Sequence, residues 1–535
     1  MTQHFRTIYR QLGFILTMLF LFLDSNLVAQ VQQYGVVKEY HGAEEKTPLK
    51  GVEINVMNAA STVSGEDGQF TLRFTTLHAG DLVKVRRIQK PGYEIFNKEA
   101  LEQWIISGRK DIPFTIVMCQ VAQFKQMRDN YERVSSANYE AQYQKEKASL
   151  AKKRAEGKIS QPQYEKAVQK ATATMQQSKA KVAIVAEKFS RIDLSEVSKN
   201  EREVISLVQQ GKIEQAIITA EERGNMLHMA DLYQLAGGVE NMEKADSLLR
   251  RAAWSDTTQL KPMEQFAEFA YSQGDWTSAC QAYELCLRHV GDSPVRRPLL
   301  AHNLGLLYMR LNDHQRAQSL LNMAATDIQA LCQRDSEGWR PMLASVQLSL
   351  ATLELRNARL DEALASYQQV CQTCEAVLAQ DSTHQEVLKH WVKAENNMAI
   401  VYMQKQDNSA AQQCLKSALL HAQRIEHGEL ECAGICNSLG NLYLATGHLP
   451  EAETRLKQCE RLLLPLMARN PQGVMPDLAR CYYNLYRLCN AQPDRQQEAQ
   501  RYLDTAITQY TILAERQPQT YQSMLKVLQQ LKAKP

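Results

Sequence analysis

Cysteine and histidine are the residues of this chain whose spacing comes nearest to chemistry. Cys371-Gln372-Thr373-Cys374 has the two-residue gap of a redox dithiol, and Cys432 and Cys436 stand four apart. A working dithiol sits at the start of a helix that follows a strand, where the helix terminus favours the thiolate. Both pairs instead fall within helical periodicity, where Cβ atoms three or four residues apart are ~5 to 6 Å distant against the ~3.5 to 4.5 Å of a disulfide. They read as small buried residues. His384 and His390, and likewise His421 and His427, are six apart and face different sides of a helix. The turn Glu66-Asp67-Gly68 offers oxygen ligands but reads as a hairpin turn. There is no glycine-rich phosphate loop, nucleophile elbow or paired-histidine zinc motif. No catalytic residue, cofactor or metal is expected, and the reading is non-enzymatic.

The elements around these residues repeat. A small residue, an apolar residue four on and a small or apolar residue three beyond recur around Ala216, Ala245, Ala279, Ala317, Ala363, Ala411, Ala452 and Ala499, at intervals of 29, 34, 38, 46, 48, 41 and 47 residues. The downstream partners are Leu249 and Ala252, Tyr283 and Cys286, Leu321 and Ala324, Tyr367 and Val370, Leu415 and Ala418, Leu456 and Cys459, and Leu503 and Ala506. The unit around Ala216 fits least well and reads as a degenerate cap. The stretch Cys432 to Leu464 shows the pattern most fully, with Leu439-Gly440, Tyr443, Ala452, Leu456 and Cys459 on either side of Thr446-Gly447-His448.

That pattern resembles the tetratricopeptide repeat. The long intervals, with extra residues at Cys332 to Arg340 and Gln380 to His384, resemble the repeats of kinesin light chains and related bacterial proteins, most closely at Asn396 to Tyr402. The resemblance implies an all-α superhelical solenoid over 196–535, about eight units, in which the first helix of each unit lines a concave groove. It also implies that a polar residue just before the small packing residue points into that groove. Those positions are Asn303, Asn397, Ser438 and Asn484, with Asn441 and Asn396 beside them. Asparagine donates and accepts at once, so such a row could hold the backbone of a partner's peptide segment.

Ahead of the array the expected order is a leader, a β-sandwich and a helical hairpin. His4, Arg6 and Arg10 precede the apolar run Phe14 to Leu23, and Leu27-Val28-Ala29 offers a cleavage point, so 1–29 reads as a signal peptide. The run is shorter than the ~20 residues of a bilayer span, and no stable membrane span is expected after its removal. Residues 30–120 carry short β-enriched runs at Tyr34 to Tyr40, Val52 to Met57, Gln69 to Phe74, Leu82 to Arg87 and Phe114 to Met118. Thr47 to Ile54, Ser64 to Leu72, Gly80 to Val83 and Pro91-Gly92-Tyr93 resemble the carboxypeptidase regulatory-like family. This implies a transthyretin-like, non-catalytic sandwich common in Gram-negative envelope proteins.

Residues 121–195 have long-helix composition, broken at Gly157 to Pro162, and read as a basic hairpin or coiled coil; 121–200 holds 16 Lys or Arg against 9 Asp or Glu. The whole chain carries only +3, and no aromatic ladder accompanies the basic run, so nucleic acid is not an expected partner. The expected function is an exported protein-interaction scaffold of the periplasm or outer-membrane face. The alternative is a carbohydrate- or peptidoglycan-binding envelope module acting through the sandwich. Self-association through terminal repeats is a further expectation. Twelve cysteines, eleven of them in the helical part, cannot all pair within it.

Overall fold

A computed structural model describes residues 31–533 apart from 75–76, 102–103, 223–228, 292 and 470. The expected leader and its cleavage point lie outside these residues. The chain forms two compact units, one up to residue 133 with 186–210, the other 134–185 with the chain from 211 onward.

The first unit begins with eight strands: β1 (Val31–Glu39), β2 (Thr47–Pro48), β3 (Glu53–Val56), β4 (Thr62–Val63), β5 (Gln69–Phe74), β6 (Val85–Gln89), β7 (Tyr93–Ile95) and β8 (Phe114–Gln120), with a four-residue helix α1 (Lys98–Leu101) before β8. One sheet runs β2-β1-β8-β7 with β5 also on β1, and the other runs β4-β3-β6. Alternation along β5 buries Phe70, Leu72 and Phe74 while the residues between them turn outward. These meet Ile54, Val56 and Ile88 of the smaller sheet in one apolar core. The strand expected at Leu82 to Arg87 lies further on, because 81–83 pair elsewhere: Val83 N–H donates to the Trp104 carbonyl at 2.8 Å, and Ile106 N–H to the Asp81 carbonyl at 2.9 Å. The acidic turn closes on itself, with Asp67 Oδ1 accepting from Gln69 N–H at 3.0 Å.

Helices α2 (Val121–Ala155) and α3 (Gln161–Ser190) follow and run through both units. Gly157, at φ +69°, ends the first. Ser160 opens the second, its N–H donating to Gln163 Oε1 at 2.8 Å. The far end of α3 is fastened to the sandwich. Arg191 donates to the Ile95 and Phe96 carbonyls at 2.7 and 2.9 Å, and Lys46 reaches both Asp193 and Glu196 at 2.6 Å. Helix α4 (Lys199–Gln209) starts from a Ser198–Glu201 capping box.

In the second unit the middle of the hairpin caps the start of the repeat array. Tyr139, buried, donates through its hydroxyl to the Gln234 carbonyl at 3.2 Å, and Val239 N–H donates to Glu146 Oε1 at 2.8 Å. Several of the bases counted as an excess pair with acids here: Lys145 with Glu214, Lys170 with Glu243 and Lys179 with Glu140, at 3.1, 2.9 and 2.8 Å. Being exposed, these pairs contribute little to stability.

The array proper comprises α5 (Ile213–Glu222), α6 (Met229–Ala236), α7 (Val239–Ser255), α8 (Leu260–Gln273), α9 (Trp276–His289), α10 (Arg296–Arg310), α11 (His314–Arg334), α12 (Ser336–Arg356), α13 (Leu360–Leu378), α14 (Gln385–Gln404), α15 (Asn408–Ala422), α16 (Glu429–Ala445), α17 (Leu449–Arg469), α18 (Pro471–Asn490), α19 (Gln496–Arg516) and α20 (Pro518–Ala533). From α6 to α19 they pair as antiparallel hairpins. All eight key alanines are buried, none more than 2% exposed. In the repeat around Ala245 the pattern slips by one: Ala252 is exposed and Ala253 is the buried residue. The extra residues at Cys332 to Arg340 form no loop. Asp335 ends α11 and caps α12 at once, accepting from Gly338 N–H at 3.1 Å.

The turn inside each of five hairpins is built alike. A residue in the turn takes the left-handed conformation, Gly274 directly after its helix and Asn312, Ala358, Gln406 and Gly447 one residue later, with φ of 81°, 59°, 56°, 62° and 78°. In three of them an aspartate follows, and Asp275, Asp313 and Asp407 each accept from the third backbone N–H at 3.0 to 3.1 Å. Glycine is also needed where helices cross: a Cβ on Gly440 would lie 2.6 Å from the Leu456 side chain.

Candidate partner-binding face

Successive first helices α10, α12, α14, α16 and α18 touch one another along the array. They therefore form its inner layer, and residues on their free sides line the concave surface. The sequence-predicted row lies in this layer but not in one environment. Asn303 on α10 is exposed and bonds to no described residue. Asn397 on α14 is half-buried beside the hydroxyl of Tyr367, which itself donates to Thr352 Oγ1 at 3.3 Å. Ser438 on α16 is half-buried. Asn441 and Asn484 are brought together: Arg487 Nη1 donates to Asn441 Oδ1 at 2.6 Å and to Asn484 Oδ1 at 3.3 Å. Asn484 is only 4% exposed, and its Nδ2 donates to Asn437 Oδ1 at 3.0 Å.

The residue three before the small packing position of one first helix thus meets the polar residue of the next. Asn437 meets Asn484 in this way, and His302 Nε2 meets Ser349 Oγ at 3.0 Å. Asn396 occupies the same place on α14, and its Oδ1 is buried without a hydrogen-bond partner among the described residues. Asn437, Arg487, His302 and Ser349 were not singled out from sequence. The available signal was a second polar residue adjoining the first, as in His302-Asn303, Asn396-Asn397 and Asn437-Ser438. His302 is buried, and burial, reinforced by the charge of His390, pushes it down to about 4. Burial, then Lys393, does the same to His390.

The inner layer also carries arginines. Arg310, in the last turn of α10, is exposed with its guanidinium 5.4 Å from the centre of the Tyr271 ring and 5.7 Å from that of Trp276. Arg356, in the last turn of α12, donates to the Met309 carbonyl at 2.8 Å. Burial, then the charge of Arg310, lowers the Arg356 pKa. Tyr271 is 41% and Leu306 36% exposed beside them.

Most of the cysteines are buried. All twelve are free thiols. Burial pushes Cys371 and Cys374 up to about 12, while contact with Cys481, then burial, raises Cys459. Among the described residues no group of His, Cys, Asp or Glu is arranged to hold a metal ion, and no helix is long and apolar enough to cross a membrane.

Residues 343–384, from α12 into α13 and just beyond, match the family model of the tetratricopeptide repeat. No curated protein matches the chain. Among solved structures, BtubC from P. vanneervenii is 20% identical over 50% of this chain and 92% of its own, with a TM-score of 0.32. The repeats of a putative kinesin light chain of Podosopora anserina are 24% identical over 42% and 97%, at 0.30. A Rap protein complexed with competence and sporulation factor is 12% identical over 62% and 96%, at 0.37. The tetratricopeptide-type solenoid behind a small β region is the fold of this chain.

Proposed function

We propose that this chain is an exported, non-catalytic scaffold whose tetratricopeptide-type groove binds an extended segment of a partner polypeptide. The observation that carries the reading is the inner layer of first helices, which leaves Asn303, Tyr271, Leu306 and Arg310 uncovered while the same layer at α16 and α18 is tied to itself. Asn303, Asn397, Ser438 and Asn441 supply amide and hydroxyl groups along the groove, and Asn484 holds the seam behind them. The basic start and apolar run of the leader support export to the envelope of a Gram-negative bacterium. The strand runs and glycine turns of 30–120 support a carboxypeptidase regulatory-like sandwich as a non-catalytic companion module.

The test is site-specific photo-crosslinking in the native envelope, with the probe at Asn303 on the inner face or at Leu420 on α15, which is 66% exposed. A protein adduct is expected from position 303 and not from 420. Equal labelling from both, or retention of the chain on peptidoglycan through residues 30–120, would transfer the function to the envelope-binding alternative. Terminal sequencing of the secreted chain is expected to begin at Gln30.

A further inference from the structure

Two buried positions recur at each seam between the second helix of one repeat and the first helix of the next: the last residue of the small-apolar pattern, and the residue three before the polar row. Along the array these are Cys286 and Leu300, Ala324 and Val346, Val370 and Ala394, Ala418 and Ile435, and Cys459 and Cys481, none more than 5% exposed. Only the last seam has cysteine at both. There α17 packs on α18, and the Cys481 thiol donates to the Leu456 carbonyl at 3.4 Å. Side chains on a helix lean towards its N-terminus, so the Cys459 side chain overlies the turn that begins at Leu456. The two sulfurs are thus brought to one spot from facing helices, and the Cys459 thiol lies against that of Cys481. Both are fully buried in one apolar core, which also holds Cys436 of α16. The obstacle that parts Cys371 from Cys374 and Cys432 from Cys436, two Cβ atoms fixed on a single helix, does not operate between two helices.

We infer that Cys459 and Cys481 are a disulfide site, which on oxidation bolts the second helix of the Ala452 repeat to the first helix of the next. The site is independent of groove binding and holds whatever the array binds. The oxidant is an external disulfide. One protein thiolate attacks it, releasing one thiol and leaving a mixed disulfide; the second cysteine then attacks the protein-side sulfur and releases the other thiol. One S–S bond forms in the protein, one is reduced outside it, and the two S–H protons end on the two released thiols. Both sulfurs are covered in the folded array, so exchange takes place while α17 and α18 are apart, during folding or a local opening. Once made, the bond constrains the opened chain and keeps two consecutive repeats from separating, at the seam on which each depends for burial of its apolar face.

The experiment unfolds the full chain in urea, refolds it in a buffer of reduced and oxidised glutathione, blocks the remaining thiols with iodoacetamide and maps the tryptic peptides by mass. The peptide Gln458–Arg461 is expected joined to Cys481–Arg487, two hydrogen atoms lighter than the separate pair, with Cys436 alkylated. Amide hydrogen exchange in α17 and α18 is expected to slow on the order of tenfold or more on oxidation and to recover in dithiothreitol. Cys459→Ala should abolish that slowing, and it should fold, because alanine fills the same place at Ala324 and Ala418. Cys436→Ala should keep both the link and the slowing. The peptide map of the parent chain decides the site without any variant. Recovery of Cys459 and Cys481 as alkylated thiols or as separate glutathione adducts overturns it, as does a link from Cys459 to Cys436. A Cys459–Cys481 link that leaves exchange in α17 and α18 unchanged overturns the bolt.

Discussion

The inner layer is built twice from the same helical unit and ends in two different states. At α16 and α18, Asn437, Asn484, Arg487 and Asn441 form a closed network, and Asn484 is almost wholly buried. At α8, α10 and α12, Tyr271, Leu306, Asn303 and Arg310 are open. The difference teaches that position in the repeat does not fix role. A polar residue on the first helix becomes either a rivet between units or a free contact, depending on whether the neighbouring helix presents a complementary group one residue out of step.

That comparison can be broken in several ways. The largest effect is expected from Ala452→Glu, beneath the closed region, or Ala363→Glu near the open one. Both alanines are fully buried at helix crossings, so overpacking and a buried charge together should cost about 4 kcal/mol or more in denaturant unfolding. If either variant unfolds like the parent, the repeat register is wrong.

Acid comes next, because the seam beside the open region is built on histidine and the distal one on asparagine. His302 and His390 are near 4 when folded against about 6.5 when free, so the unfolded chain binds more protons between those values. Stability should be complete above about pH 6.5 and fall as pH drops towards 4, by about 3 kcal/mol for each histidine. His302→Gln should flatten that slope in chemical denaturation followed as a function of pH.

Smaller effects separate rivet from contact directly. Asn484→Ala leaves Asn437 unsatisfied and should cost about 1 to 3 kcal/mol. Asn303→Ala, alone or with Asn397→Ala, should leave helicity nearly unchanged, stay within about 0.5 kcal/mol at position 303, and weaken partner capture. A large loss of melting temperature on Asn303→Ala would erase the distinction. The smallest expected change is a gain: Ala358→Gly relieves a left-handed alanine and should add about 0.5 to 1 kcal/mol, read as a raised denaturation midpoint.

Much of this architecture was legible in the sequence because small residues at helix crossings tolerate few substitutes. All eight key alanines mark buried crossings, and Gly157 with Ser160 marks the break between α2 and α3. The slip at Ala252 arose because residues seven and eight beyond Ala245 are both alanine and both fall near the buried stripe; only the packing of α8 chooses between them. The groove row was harder to read. Whether Asn484 is free depends on Asn437, 47 residues earlier in a chain whose repeat intervals range from 29 to 48, so no fixed offset reveals the partner. Arg310 passed unnoticed because an arginine closing a helix is ordinary; its place beside the Tyr271 and Trp276 rings is displayed only by the fold.

The eleven thiols of the array give it its own recorder of unfolding. Most are buried at the interfaces between helices, and wherever burial dominates it holds the thiol protonated, so a folded array reacts slowly with an alkylating agent. Each cooperative opening would uncover several cysteines at once, in groups that map onto neighbouring repeats. The order in which Cys280, Cys374, Cys436 and Cys481 become modified would therefore trace how an opening spreads along the solenoid, with no label introduced. In oxidising surroundings the same openings would leave mixed disulfides behind, turning a transient fluctuation into a permanent mark.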